Sequence, residues 1–131
     1  MKVVFLSNFF NHHQQFFSEA MYGVLGNDYT FIETAEMPEE RKQLGYGIEK
    51  LPVYVKHMYN NADEYSQYIE LINTADVVIS GSAPEQLLKE RKKQNKLIIR
   101  YQERMFKSEL SIKQKLKQTF IYSGVVVLHH A

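Results

Sequence analysis

Two adjacent histidines, His12 and His13, are the residues best suited to proton transfer in this chain. An imidazole changes charge near neutral pH, so it can take a proton from an attacking hydroxyl. Neighbouring positions on a helix point about a quarter-turn apart, so at most one of the pair faces a given cleft; otherwise both simply occupy an exposed first turn. They do not form a metal site: adjacent histidines lack the one-turn spacing that lets two rings share an ion, and no acidic pair accompanies them. His129 and His130 read as a tail or a strand end. Two further stretches could bind a ligand. Gly81-Ser82 allows close backbone approach, with a helix start supplying N–H groups, or else merely a tight turn. Glu103-Arg104 is either an exposed ion pair of little worth or a polar pair at a ligand-facing strand end.

The elements that must position these residues follow from periodicity. Val3 to Leu6 is a continuous apolar run, the mark of a strand covered on both faces. Asn11 opens a helix as N-cap with Gln14 in capping-box position, and Gly26 ends it. Its core stripe is expected at Phe16, Phe17, Ala20, Met21, Val24 and Leu25. Further strands are expected over Tyr29–Glu33, Leu51–Val55, Asp76–Ile79, Leu97–Tyr101 and Gly124–Leu128. Between them lie a polar loop with one helical turn over Met37–Tyr46 and a helix from Asp63 carrying Tyr65, Tyr68, Ile69 and Ile72. Pro84 sits in the first turn of the next helix, which carries Leu87 and Leu88. Ser108 or Ser111 caps a lysine-rich helix ending near Phe120. The charged stretch Lys89–Lys93 reads as a solvated helix face.

Alternation of buried strands and helices specifies an α/β fold: a Rossmann-like, doubly wound, mostly parallel sheet with helices on both faces, forming one domain over residues 1–131. In the usual 3-2-1-4-5-6 order, strands 1 and 4 lie side by side. The loop from Ser7 to His13 then faces the loop from Ser80 to Pro84, and Gln102-Glu103-Arg104 follows along the same rim. Ligands of such sheets bind at the carboxyl ends of the strands, where the order reverses.

Composition narrows the function further. Sixteen basic and fifteen acidic side chains nearly cancel, which gives no field for nucleic acid. The 131 residues contain no cysteine, which excludes thiolate catalysis, disulfides and zinc–thiolate sites. No GxGxxG follows the first strand and there is no Walker lysine loop. The strand-1 end has neither the acidic cluster of a receiver domain nor a flavin-phosphate loop. No cofactor is expected. The short apolar start lacks a cleavage site and no stretch approaches a membrane span. A cytoplasmic protein is expected, peripheral to the inner membrane if its acceptor is lipid-linked.

Several segments taken together resemble bacterial glycosyltransferases of the GT-B class, close to the retaining family 4 type. They are Val3 to Gln14, Phe31-Ile32-Glu33-Thr34, Met37 to Arg41, Asp76 to Glu85, and Arg100 to Arg104. The similarity runs to about Phe120. Such enzymes pair two Rossmann-like domains across a cleft, the first holding the acceptor and the second most of the nucleotide-sugar donor. The resemblance implies that Asn8, Asn11, His12 and His13 border the cleft, one histidine near the reacting sugar, with Gly81, Ser82, Glu103 and Arg104 on the acceptor side. The partners it implies are a nucleotide-sugar donor, a glycan or lipid-linked acceptor, and the C-terminal donor domain, without which this half is expected to be inactive. A stand-alone nucleotide- or sugar-binding module, or a subunit docking a separate donor domain, is the alternative. A sheet ending at Ala131 is also expected to expose an edge open to self-association.

Overall fold

The computed structural model describes residues 1–45, 50–103 and 125–130. Among these, six strands form one sheet: β1 (Val3–Ser7), β2 (Tyr29–Glu33), β3 (Val55–His57), β4 (Val77–Ser80), β5 (Ile98–Glu103) and β6 (Val125–His130). Every pairing is parallel and the order is β3-β2-β1-β4-β5-β6. The fold is therefore the Rossmann-like α/β class, with the chain reversing its direction of travel between β1 and β4.

Side chains alternate across each strand, so each strand feeds two cores. Val4, Leu6, Ile32, Val78 and Ile98 pack with Ile72 and Leu88 on one face. Val3, Phe5, Tyr29, Phe31, Val55 and Ile79 pack with Phe10, Phe17 and Met21 on the other. Helix α1 (His12–Leu25) covers the second face and α3 (Ala62–Thr74) the first. Two short helices, α2 (Glu39–Gln43) and α4 (Lys89–Lys93), and two 3-10 helices, Gly26–Asp28 and Glu85–Leu88, complete the set among the described residues; the expected helix with Leu87 and Leu88 is thus a 3-10 turn leading into α4.

The start of α1 has the expected capping box: Asn11 Oδ1 accepts from the His13 N–H at 2.8 Å, and Gln14 Oε1 accepts from the Asn11 N–H at 3.1 Å. The expected stripe needs correction. Phe16 and Val24 are 88% and 84% exposed, and Ala20 is exposed with them. Phe17, Met21 and Leu25 face the sheet as expected, joined by Ser18 and Tyr22 in place of Phe16, Ala20 and Val24. Two rows of side chains competed for the core. The inward row wins an edge-on contact of Phe17 with Phe5 and a buried 2.7 Å hydrogen bond between Ser18 Oγ and Tyr29 Oη. A buried serine with a matched hydroxyl partner costs little, which a purely apolar pattern does not register.

Three other expectations shift. β3 begins at Val55, because Pro52 cannot donate to a ladder and accepts from the Val55 N–H in a turn instead. Tyr65 lies exposed, leaving Tyr68, Ile69 and Ile72 as the packed row of α3. β6 runs through His129 and His130 rather than stopping at Leu128. The expected lysine-rich helix after Ser108 lies outside the described residues.

The charged stretch of α4 also departs from a uniformly solvated face, because Arg91 is fully buried. Its guanidinium donates to the carbonyls of Ile72, Ala75, Asp76 and Leu97. It thereby satisfies the end of α3 and the approaches to β4 and β5 at once, where a helix C-terminus otherwise leaves its carbonyls orphaned. Burial pulls the Arg91 pKa down, while nearby Asp76 offsets this.

Candidate functional site

The strand register lines up four residues at the carboxyl rim. His57 of β3 pairs with Glu33 of β2, and Glu33 pairs with Ser7 of β1. Leu6 pairs with Ser80, so Gly81 follows beside Ser7, and its N–H donates to the Leu6 carbonyl at 2.8 Å. A Cβ on Gly81 would stand 3.0 Å from Ser7 Oγ and 3.3 Å from Ser7 Cβ. A side chain at position 81 would therefore press on Ser7 where the ends of β1 and β4 approach closely.

Glu33 is the hub of this row. It is 4% exposed, and its two oxygens have separate tasks. Oε2 accepts from the Phe10 N–H at 2.8 Å, tying the β1 loop down just before α1 begins. Oε1 lies 2.8 Å from His57 Nδ1. Burial pushes the Glu33 carboxyl above the usual carboxylate range; the Phe10 N–H, the His57 imidazole and the charge of Lys42 pull it back. Tyr59 Oη lies 2.9 Å from the same Nδ1. Burial, then the charges of Glu33 and Glu36, push the Tyr59 hydroxyl up, so it stays protonated at neutral pH. With Glu33 ionised, Nδ1 carries the ring proton and donates to the carboxylate. Both contacts fall on Nδ1 of a ring whose side chain is 29% exposed.

The β1 loop brings Asn8, Asn11, His12 and His13 to this rim. Asn8 Oδ1 accepts from the Phe9 N–H at 2.8 Å and the Asn8 carbonyl accepts from Ala35, fastening the loop to the residues after β2. Asn11 spends its side-chain oxygen on the helix cap. His12 and His13 are exposed on the first turn of α1, their ring centres 4.4 Å apart. Ser82 is exposed in the loop after β4. Glu103 ends β5, two strands from β1, with His130 as its register partner. Arg104 lies outside the described residues. Among the described residues, no group of three or more His, Asp or Glu stands where it could hold a metal ion.

A second polar cluster lies further along the rim. Arg100, buried within β5, makes a two-pronged ion pair with Glu85, and Lys92 reaches the same carboxylate at 2.9 Å. The Arg100 hydrogen bond, opposed by burial and helped by Lys92, holds the Glu85 carboxyl down at about 2. The pair fixes the loop after Gly81 against β5.

Sequence reasoning passed over Glu33 and His57 as chemical groups. The signal available was an acidic residue closing the apolar run Tyr29–Ile32, and a histidine just past the apolar pair Tyr54-Val55. Only the register shows that they meet.

The fold and rim define a Rossmann-like α/β domain with polar groups gathered at the carboxyl ends of β1, β2, β3 and β4. No family model, curated protein or solved structure matches the chain. Among the described residues, no helix is long and apolar enough to cross a membrane.

Proposed function

We propose that this chain is the acceptor-side domain of a GT-B-type glycosyltransferase, which transfers a sugar from a nucleotide-sugar donor to a glycan or lipid-linked acceptor. The observation that carries the reading is the rim itself. The segment from Val3 to Gln14, which resembles the opening of such enzymes, ends at the point where strand order reverses, beside a buried carboxylate holding an imidazole. In this reading the donor sits chiefly on a second domain, and the positive end of the α1 dipole faces the donor phosphates. Asn8, Asn11, His12 and His13 border the cleft in this reading, one histidine close to the reacting sugar, while Gly81, Ser82 and Glu103 line the acceptor side.

Calorimetric titration of the chain with uridine and guanosine sugar nucleotides tests this division of labour. Half a cleft supplies half the contacts, so binding weaker than micromolar is expected. Micromolar affinity would instead make the chain a nucleotide-sugar-binding module in its own right.

A further inference from the structure

We infer that Ser80, Arg100 and Lys92 form a site for a phosphate group, and that Glu85 occupies it until such a ligand displaces its carboxylate. The inference is independent of the acceptor-side reading. It concerns the first face of the sheet between β4 and β5, and its test uses no sugar nucleotide.

Strand register brings these residues together. Ser80 and Arg100 are partners across β4 and β5. Each lies two positions after a residue of the first-face core, Val78 and Ile98, so alternation puts both side chains on that face. Both are buried. The Arg100 guanidinium gives two donors to Glu85, a fork that suits phosphate as well as carboxylate. Beside it, Ser80 Oγ is buried with no hydrogen-bond partner among the described residues. A buried hydroxyl left unsatisfied is costly, and alanine there would avoid the cost. An ion pair that only fastened the loop to β5 has no use for that hydroxyl; a ligand seated on Arg100 does.

Charge and shape identify the ligand. Two cations, Arg100 and Lys92, share the one Glu85 carboxylate, so the cluster keeps a surplus positive charge. A phosphate monoester carries roughly −1.5 to −2 at neutral pH and balances both cations. Its tetrahedral oxygens diverge, so two take the guanidinium fork while a third accepts from Ser80. A planar carboxylate fills the fork and leaves the hydroxyl unserved. Glu85 is the member placed to give way. Its side chain is 56% exposed, and it begins the 3-10 turn Glu85–Leu88, whose N-cap Pro84 makes no side-chain hydrogen bond. Its withdrawal toward solvent frees the guanidinium fork beside Ser80.

The experiment titrates the chain at neutral pH and constant ionic strength with inorganic phosphate and with hexose phosphates, following backbone amide shifts. Acetate and the unphosphorylated hexose are the controls. Saturable shifts at Ser80, Gly81, Glu85 and Arg100 are expected with a phosphate, and affinity for acetate should be about tenfold weaker. Glu85→Gln removes the competing charge and should tighten phosphate binding about tenfold. Ser80→Ala should weaken it about threefold to tenfold, the scale of one neutral hydrogen bond. Arg100→Lys, which loses the fork, should weaken it about a hundredfold; where that variant fails to fold, Glu85→Gln and Ser80→Ala decide the matter. Either source of phosphate upholds the site: equal affinities assign it to free phosphate, and tighter hexose phosphate binding assigns it to a phosphorylated sugar. Shifts confined to the start of α1, or an affinity that Glu85→Gln leaves unchanged or lowers, overturn the inference and leave the acceptor-side reading untouched. Failure of every phosphate to bind the parent chain overturns it as well.

Discussion

Glu33 and His57 occupy matched positions on neighbouring parallel strands, and the carboxylate of the first holds Nδ1 of the second at 2.8 Å. The other Glu33 oxygen holds the Phe10 N–H, so removing this side chain orphans a buried backbone donor and takes one of two partners from His57 Nδ1. Glu33→Ala is expected to destabilise the fold by about 2–3 kcal/mol, the cost of leaving a buried donor unsatisfied plus a small cavity. Glu33→Gln retains an acceptor for Phe10 and should cost about 1 kcal/mol. Urea unfolding of the two variants checks the order; equal losses would mean that volume, not hydrogen bonding, matters here.

Arg91 makes the opposite prediction about a charged residue. Its donors serve four carbonyl oxygens from three parts of the chain, with no solvent exposure. Lysine carries the same charge but lacks the planar fork that reaches divergent acceptors. Arg91→Lys should therefore lose about 3 kcal/mol or more, comparable to breaking a buried charged network. A loss under about 1 kcal/mol in denaturant unfolding would contradict the assignment.

Acid stability should depend on Glu85. Its carboxyl is held down at about 2, so the stability it contributes is present above its ordinary value of 4.5 and is lost as pH falls toward about 2. The side chain is more than half exposed, and after discounting for solvent screening the contribution is on the order of 1 kcal/mol. Glu85→Gln should match the parent at pH values near 2 and be less stable near neutrality. A parallel offset at every pH would remove the electrostatic explanation.

Asn11 and Gly81 separate architecture from ligand contact. Asn11→Ala removes the α1 cap and should cost about 1 kcal/mol. Gly81→Ala presses a methyl group against Ser7, at a cost of about 1–3 kcal/mol for overpacking. Adding Ser7→Ala should recover part of that loss, because the nearest atom is the Ser7 hydroxyl oxygen. Thermal unfolding of the single and double variants gives the coupling; strict additivity would show that the two ends do not press on each other.

Much of this was legible in the sequence. Continuous apolar runs at Val3–Leu6 and Val77–Ile79 mark strands buried on both faces, and the parallel order follows from helices between them. The α1 cap was legible because Asn11 and Gln14 act within one turn. The inward face of α1 was not: choosing Phe17 and Ser18 over Phe16 depends on Phe5 and Tyr29, which belong to other strands. Arg91 and the Glu33–His57 pair were hidden for the same reason. Each is made by residues far apart in the chain, and the meaning of a charged residue changes once a partner removes its need for water.

The acceptor-side claim is tested most directly by mapping saccharide binding onto the backbone amides of the chain at neutral pH. Binding shifts are expected to cluster at Asn8–Phe10, Glu33–Thr34, His57–Met58 and Gly81, the carboxyl ends of four adjacent strands, and to leave the amino ends of the same strands unmoved. Shifts confined to the amino ends, or no binding by any mono- or oligosaccharide tried, would contradict it.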